Sequence, residues 1–177
     1  FMRMSCNSAY LVDKVTRTGP KIDECHALLR DILESPDTKV VVFSQWLGTH
    51  ELLMERMNGD GGACAFYHGS LDSKNRKSVI DRFKNDAGCR VLFCTDSGGV
   101  GLNLQIASAL VNMDQPWNPA VLEQRVGRVH RLGQHRNVQV YHFIARDTIE
   151  HGMLDVLKFK SAMFEGVLDG GETEIFL

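Results

Sequence analysis

Val91-Leu92-Phe93-Cys94-Thr95-Asp96-Ser97-Gly98-Gly99-Val100-Gly101-Leu102-Asn103-Leu104 sets an apolar run directly against a glycine-rich turn. A short continuous apolar run bounded by turn residues reads as a strand covered on both faces. Ala109 to Met113 is a second such run, and Asp114-Gln115-Pro116-Trp117-Asn118-Pro119 leads out of it. Asn118 is a good helix N-cap and Pro119 a good first helical residue. The helix they open reads through Gln124-Arg125-Val126-Gly127-Arg128-Val129-His130-Arg131-Leu132-Gly133-Gln134.

The same alternation covers most of the chain. Val40 to Phe43, Ala63 to Tyr67 and Val138 to Ile144 read as further strands. Amphipathic helical patterns occupy Thr49 to Met57 and Asp72 to Phe83, and another runs from Thr148 to about Glu165. Strands separated by helices imply right-handed crossovers and a parallel sheet with helices on both faces, an α/β fold. In such sheets ligands bind beyond the carboxyl ends of the strands, where His68-Gly69, the Thr95 to Asn103 loop and Gln115 to Pro119 are expected. Residues 1–20 read as an entering linker, 21–146 as the α/β unit, and 147–177 as a C-terminal helix and tail.

The bulk properties exclude more than they identify. A chain of 177 residues can bury about 70% of its unfolded surface in one domain. At 44% apolar and 24% charged, it is neither disordered nor fibrous. A net charge of −2 means that any nucleic-acid contact must come from a local patch. Five cysteines without a C-x-x-C pair argue against a disulfide framework or a zinc site, and no metal ligands are assigned. No apolar stretch is long enough to span a bilayer and no signal peptide opens the chain, which predicts an intracellular protein. Phe1, where an initiator methionine would stand, implies part of something longer.

Several motifs carry chemistry, each with a purely structural alternative. At 100° per residue, Leu122, Val126 and Val129 share one face of the arginine helix, and Gln124, Arg128 and Arg131 share the opposite one. Two lone arginines on such a face can be simply solvated. Their position after a glycine loop favours phosphate recognition, for which the planar, permanently charged guanidinium is suited. Glycines at 98, 99 and 101 let backbone N–H groups approach a phosphate or ribose, or else make a plain turn. They form neither a Walker A loop nor G-x-G-x-x-G. His68-Gly69-Ser70 can offer main-chain donors to a nucleic-acid backbone, or can be structural. Trp117 either stiffens its proline-flanked loop or stacks on a ligand. Asp23-Glu24-Cys25-His26 spells a D-E-x-H box, but no apolar strand precedes it. The pattern of Ile22, Leu28, Leu29, Ile32 and Leu33 makes it the acidic first turn of a helix instead.

Taken together, these motifs resemble those of the C-terminal RecA-like lobe of Swi/Snf-type ATPases, within the superfamily-two helicases. Arg3 to Leu11 resembles the family's inter-lobe linker, Val42-Phe43-Ser44-Gln45-Trp46 its motif IV, and His68-Gly69 with Arg76 the motif after it. Thr95 to Asn103 resembles motif V and Gln124 to Gln134 motif VI. Trp117-Asn118-Pro119 and His130-Arg131-Leu132-Gly133-Gln134 are the specific signatures, and they separate the chain from D-E-A-D-box RNA helicases. Arg125-Val126-Gly127 is more similar to bacterial members, which points away from nucleosomes as the substrate.

The resemblance implies a RecA-like parallel sheet and a function as the second motor lobe of an ATP-dependent double-stranded-DNA translocase. It implies that Arg128 and Arg131 reach the γ-phosphate of ATP. Gly99, Gly101, Asn103 and Gln124 would line the nucleotide cleft, and Ser44, Gln45, His68, Gly69, Thr95 and Trp117 would contact DNA. The partners implied are double-stranded DNA and an N-terminal RecA-like lobe that holds the Walker A lysine and Mg2+. Lacking both of those elements, the isolated chain is expected to be inactive. A bacterial cytoplasmic or a eukaryotic nuclear location follows. An RNA helicase lobe and a non-catalytic binding module of the same fold are the alternatives.

Overall fold

The computed structural model describes residues 1–96, 101–153, 155 and 156. Among them are β1 (Val40–Phe43), β2 (Ala63–Tyr67), β3 (Cys89–Cys94), β4 (Ala109–Asn112) and β5 (Gln139–His142). They form one five-stranded sheet in the order β2-β3-β1-β4-β5, and every pairing is parallel. Val40, Val41, Val42 and Phe43 are all buried, as a central strand covered on both sides requires.

Alternate residues of the central strands serve two separate cores. Val40, Val42, Val91, Phe93, Ala109 and Val111 pack with α3 (Pro20–Ile32) and α4 (Leu47–Gly59). Val41, Phe43, Leu92, Cys94 and Leu110 pack with α5 (Ser73–Asn85), α6 (Pro119–Val129) and the loop residues Leu104 and Ala107. Side chains of this size contribute roughly 1.5–3 kcal/mol each when fully buried. Local chemistry starts the helices. The Asp72 carboxylate accepts from the Asn75 N–H at 2.7 Å, and the Asn118 side chain accepts from the Ala120 N–H at 3.1 Å. Pro20 opens α3, and Asp23 sits in its first turn paired with Arg56 at 2.8 Å. Asp23-Glu24-Cys25-His26 is therefore helical, with Cys25 fully buried.

The segment read as an entering linker carries two short helices, α1 (Met2–Asn7) and α2 (Tyr10–Asp13), packed on α3 and α4. Asn7 donates to the Thr49 hydroxyl at 3.1 Å and accepts from Lys21 Nζ at 2.9 Å. Lys21 also donates to both carboxylate oxygens of Glu150, at 2.9 and 2.7 Å, and Glu150 accepts the Ala145 N–H at 3.0 Å. One buried ammonium at the start of α3 thus fastens the first residues of the chain to the helical residues 149–153. The rest of the helix expected to reach Glu165 lies outside the described residues, except 155 and 156, which are helical.

Candidate functional site

The strands end in register: Phe43 lies beside Cys94 and Asn112, Tyr67 beside Cys94, and His142 beside Asn112. Ser44, His68, Thr95 and Met113 consequently follow along a single carboxyl edge. Among the candidate nucleic-acid contacts, Ser44 is fully buried and Thr95 nearly so. The Ser44 hydroxyl donates to Asp114 at 2.6 Å, and the Gln45 N–H donates to the same oxygen at 3.0 Å. Gly69 gives its carbonyl to Arg76 at 2.6 Å, and Trp117 is half-exposed with the Arg3 guanidinium 5.9 Å from its ring centre. Gln45 Nε2, His68 Nδ1 and both amide atoms of Gln115 are buried without a hydrogen-bond partner in the chain.

Beneath that edge lies a residue to which the helical pattern gave no partner. Arg125 is only 2% exposed although it carries a permanent charge. It donates to both oxygens of Asp96 at 2.7 and 2.8 Å, to Asp114 Oδ1 at 3.1 Å and to Asn112 Oδ1 at 2.9 Å. Burial pulls the guanidinium down, but the bonds to Asp96 and the charges of Asp114 and Asp96 outweigh it, and the net shift is upward. The cluster ties α6 to the ends of β3 and β4 and, through Asp114 and Ser44, to β1. Half-buried Leu122 and Val126 flank it, so the inward face of α6 centres on Arg125 and buried Val129.

The network continues to His50, which is fully buried and donates through Nε2 to the Ser44 carbonyl at 3.1 Å. Its ring packs against Phe66 and Phe93, with centroids 5.1 and 5.7 Å away. Burial holds its pKa down to about 4, against the upward pull of the Ser44 carbonyl and Asp114. The folded state therefore keeps His50 neutral, while the unfolded chain protonates near pH 6.5. Stability should fall as the pH drops from about 6.5 to about 4 and flatten below that. The loss expected from this residue is about 3 kcal/mol. Urea unfolding of the wild type and of His50→Phe across that range should show a shallower acid slope in the variant. Equal slopes would contradict the assignment.

The nucleotide candidates occupy a different place, on the flank formed by α6 and the loop before β4. Helix α6 stops at Val129 rather than running on to Gln134, and His130 is extended, with φ −99 and ψ 105. Arg131 thus lies in a turn after the helix, not on the helical face of Arg128. The Leu104 N–H donates to the Arg128 carbonyl at 2.9 Å, which brings the loop with Gly101 and Asn103 against the end of α6. Gly101 has a φ of +79, a conformation that favours glycine. Gln124 and Arg131 are exposed and Arg128 half-buried. Gly99 lies outside the described residues. The exposed cations suit an anionic phosphate. Among the described residues no group of three His, Cys, Asp or Glu stands together as a set of metal ligands. Nor is any described helix long and apolar enough to cross a membrane.

Comparison with known proteins identifies the family and the fold. The family described as helicase conserved C-terminal domain matches residues 20–133. An ATP-dependent helicase of Bacillus subtilis, YqhH, is 35% identical over 138 residues, covering 78% of this chain and 24% of its own length. DNA repair protein RAD5B of Arabidopsis thaliana is 37% identical over 175 residues, covering 96% of this chain and 14% of its own length. The chain thus spans a quarter or less of these relatives. Among solved structures, the C-terminal part of the Fun30 ATPase domain superposes with a TM-score of 0.74 at 27% identity, over 85% of this chain and 49% of that one. The Sulfolobus solfataricus SWI2/SNF2 ATPase core superposes with a TM-score of 0.78 at 24% identity, over 96% of this chain and 36% of that one. The chain belongs to the helicase conserved C-terminal domain family and has the RecA-like fold of Swi2/Snf2 ATPase C-terminal lobes.

Proposed function

We propose that this lobe is the second half of an ATP-dependent double-stranded-DNA translocase. Its flank would deliver Arg128 and Arg131 to ATP held by a first lobe, and its carboxyl edge would track a DNA backbone. The observation that carries this reading is the division of the candidate residues. Gly101, Asn103, Arg128 and Arg131 gather where loop and helix end meet, while Ser44, Gln45, His68, Gly69 and Thr95 line the strand ends. Two chemically different ligands can then be held at once by one rigid sheet.

The unpartnered Gln45 Nε2 and His68 Nδ1, in half-buried residues at the strand ends, support a ligand at the edge. Such groups cost about 1–3 kcal/mol each while unsatisfied, a cost that a bound phosphate or sugar would remove. Backbone phosphate contacts position a protein without reading sequence, as translocation requires. The Sulfolobus core was solved with double-stranded DNA, which favours the same ligand here. ATP and Mg2+ would be bound chiefly by the first lobe, since phosphoryl transfer needs cradle, metal and arginines together. The location would be the bacterial nucleoid or, in a eukaryote, the nucleus.

The test is ATP hydrolysis by the two-lobed protein with duplex DNA, duplex RNA or no nucleic acid. Stimulation by duplex DNA well above that by RNA is expected. Preferential stimulation by RNA would replace the reading with an RNA helicase lobe, and no stimulation by either would favour a non-catalytic module.

A further inference from the structure

Gln134 has no role in the proposed function, yet its side-chain amide reaches three backbone carbonyls around the turn it closes. Residues 131–134 form that turn, with the Gln134 N–H donating to the Arg131 carbonyl at 2.9 Å and Gly133 at φ +92. The Gln134 amide Nε2 reaches the carbonyls of Gln105 at 2.8 Å, Val129 at 3.0 Å and, more distantly, Ala107 at 3.4 Å. Gln105 returns the contact: its Nε2 donates to the carbonyls of Leu132 at 3.1 Å and Arg131 at 3.4 Å. The Gln105 N–H in turn donates to Asn103 Oδ1 at 3.1 Å.

A helix end leaves carbonyls without partners, and here the Gln134 side chain takes that of Val129 while Leu104 takes that of Arg128. Packing contributes little to the order of the turn, because Arg131 is exposed and Leu132 is 101% exposed at its tip. The hydrogen bonds between the two glutamines and the backbone are what hold it. We propose that Gln134 and Gln105 are positioning residues for Arg131, clasping the arginine turn to the loop of Gly101 and Asn103 so that the two approach a nucleotide as one body. This rests on the reading that Arg131 acts on ATP.

The experiment uses the two-lobed protein and saturating duplex DNA. Gln134→Ala should lower kcat by about 10- to 100-fold, the scale of a small misplacement of a reacting group. KM for ATP and DNA affinity should stay within about twofold, because the guanidinium is still present. Gln134→Glu keeps the shape but cannot donate when ionised, so it should be as slow as the alanine variant. Gln105→Ala, at a half-buried surface position, should shift kcat in the same direction and keeps the test open if Gln134→Ala folds poorly. In an Arg131→Lys background, Gln134→Ala should add little further loss, as expected of residues acting through one another. Wild-type kcat in Gln134→Glu and Gln105→Ala, beside a crippled Arg131→Ala, would overturn the clasp alone. Full additivity with Arg131→Lys would also overturn it. An Arg131→Ala protein of normal activity would instead overturn the underlying reading, and the clasp with it.

Discussion

Replacing Arg131 by alanine in the two-lobed protein is expected to lower DNA-stimulated ATP hydrolysis by about 10³- to 10⁵-fold. Arg128→Ala should fall in the same range. Arg128 ends α6 where its carbonyl accepts from Leu104, next to the loop of Gly101 and Asn103, Arg131 follows in the turn, and both are accessible to a ligand, Arg131 exposed and Arg128 in part. A transferring phosphoryl group spreads negative charge over its oxygens, and a positioned guanidinium stabilises that charge bidentately. Lysine replacements should recover little, since a point charge cannot reproduce the fork. Neither arginine supports the core, so thermal stability should hardly change. Steady-state kinetics with and without duplex DNA measures the effect, and a loss below about tenfold in both alanine variants would remove the flank from catalysis.

The largest expected effect on folding comes from Arg125→Ala, a loss of about 3–5 kcal/mol. The guanidinium bridges Asp96, with its side chain one-third exposed, and Asp114, with its side chain 2% exposed. Its removal strands two carboxylates near the sheet ends and orphans the Asn112 amide oxygen. Creation of uncompensated buried charge, more than lost packing, makes this costly. For a chain of this size the melting temperature should drop by on the order of 10 °C. Arg125→Leu combined with Asp96→Asn and Asp114→Asn should recover much of the loss, because the unpaired charges go too. Denaturant unfolding of wild type, Arg125→Ala and the triple variant decides it. A single Arg125→Ala variant within 1 kcal/mol of wild type, on the order of measurement scatter, would contradict the network.

Much of the fold was legible because strands and turns are local. Val40–Phe43, Ala63–Tyr67 and Ala109–Asn112 announce themselves as apolar runs, and Asn118-Pro119 as a helix start. What periodicity could not see depended on partners far along the chain. At 100° per residue Arg125 falls beside Val129 on the apolar face, but a permanent charge there has no explanation until Asp96 and Asp114 are brought beside it by β3 and β4. A signal did exist: an acid lies two residues beyond the end of each of those buried strands, and such carboxylates need a cation. The stop at Val129 was likewise invisible, because it is enforced by Gln134 and Leu104 from outside the helix. The docking of residues 2–13 joins Asn7 to Thr49 and Lys21, and Lys21 also pairs with Glu150, 129 positions away. Helical spacing grouped Arg128 and Arg131 on one face. The structure keeps them neighbours in chain order but presents one from a helix and the other from a clasped turn.

On the proposed reading, this lobe supplies only the arginine side of an ATP site. The most direct measurement is the ATP hydrolysis rate of the isolated chain set beside that of the two-lobed protein, both with Mg2+ and saturating duplex DNA. The prediction is turnover indistinguishable from background in the isolated chain and DNA-stimulated turnover in the two-lobed protein, abolished by Arg131→Ala. DNA-stimulated hydrolysis by the 177 residues alone would contradict it.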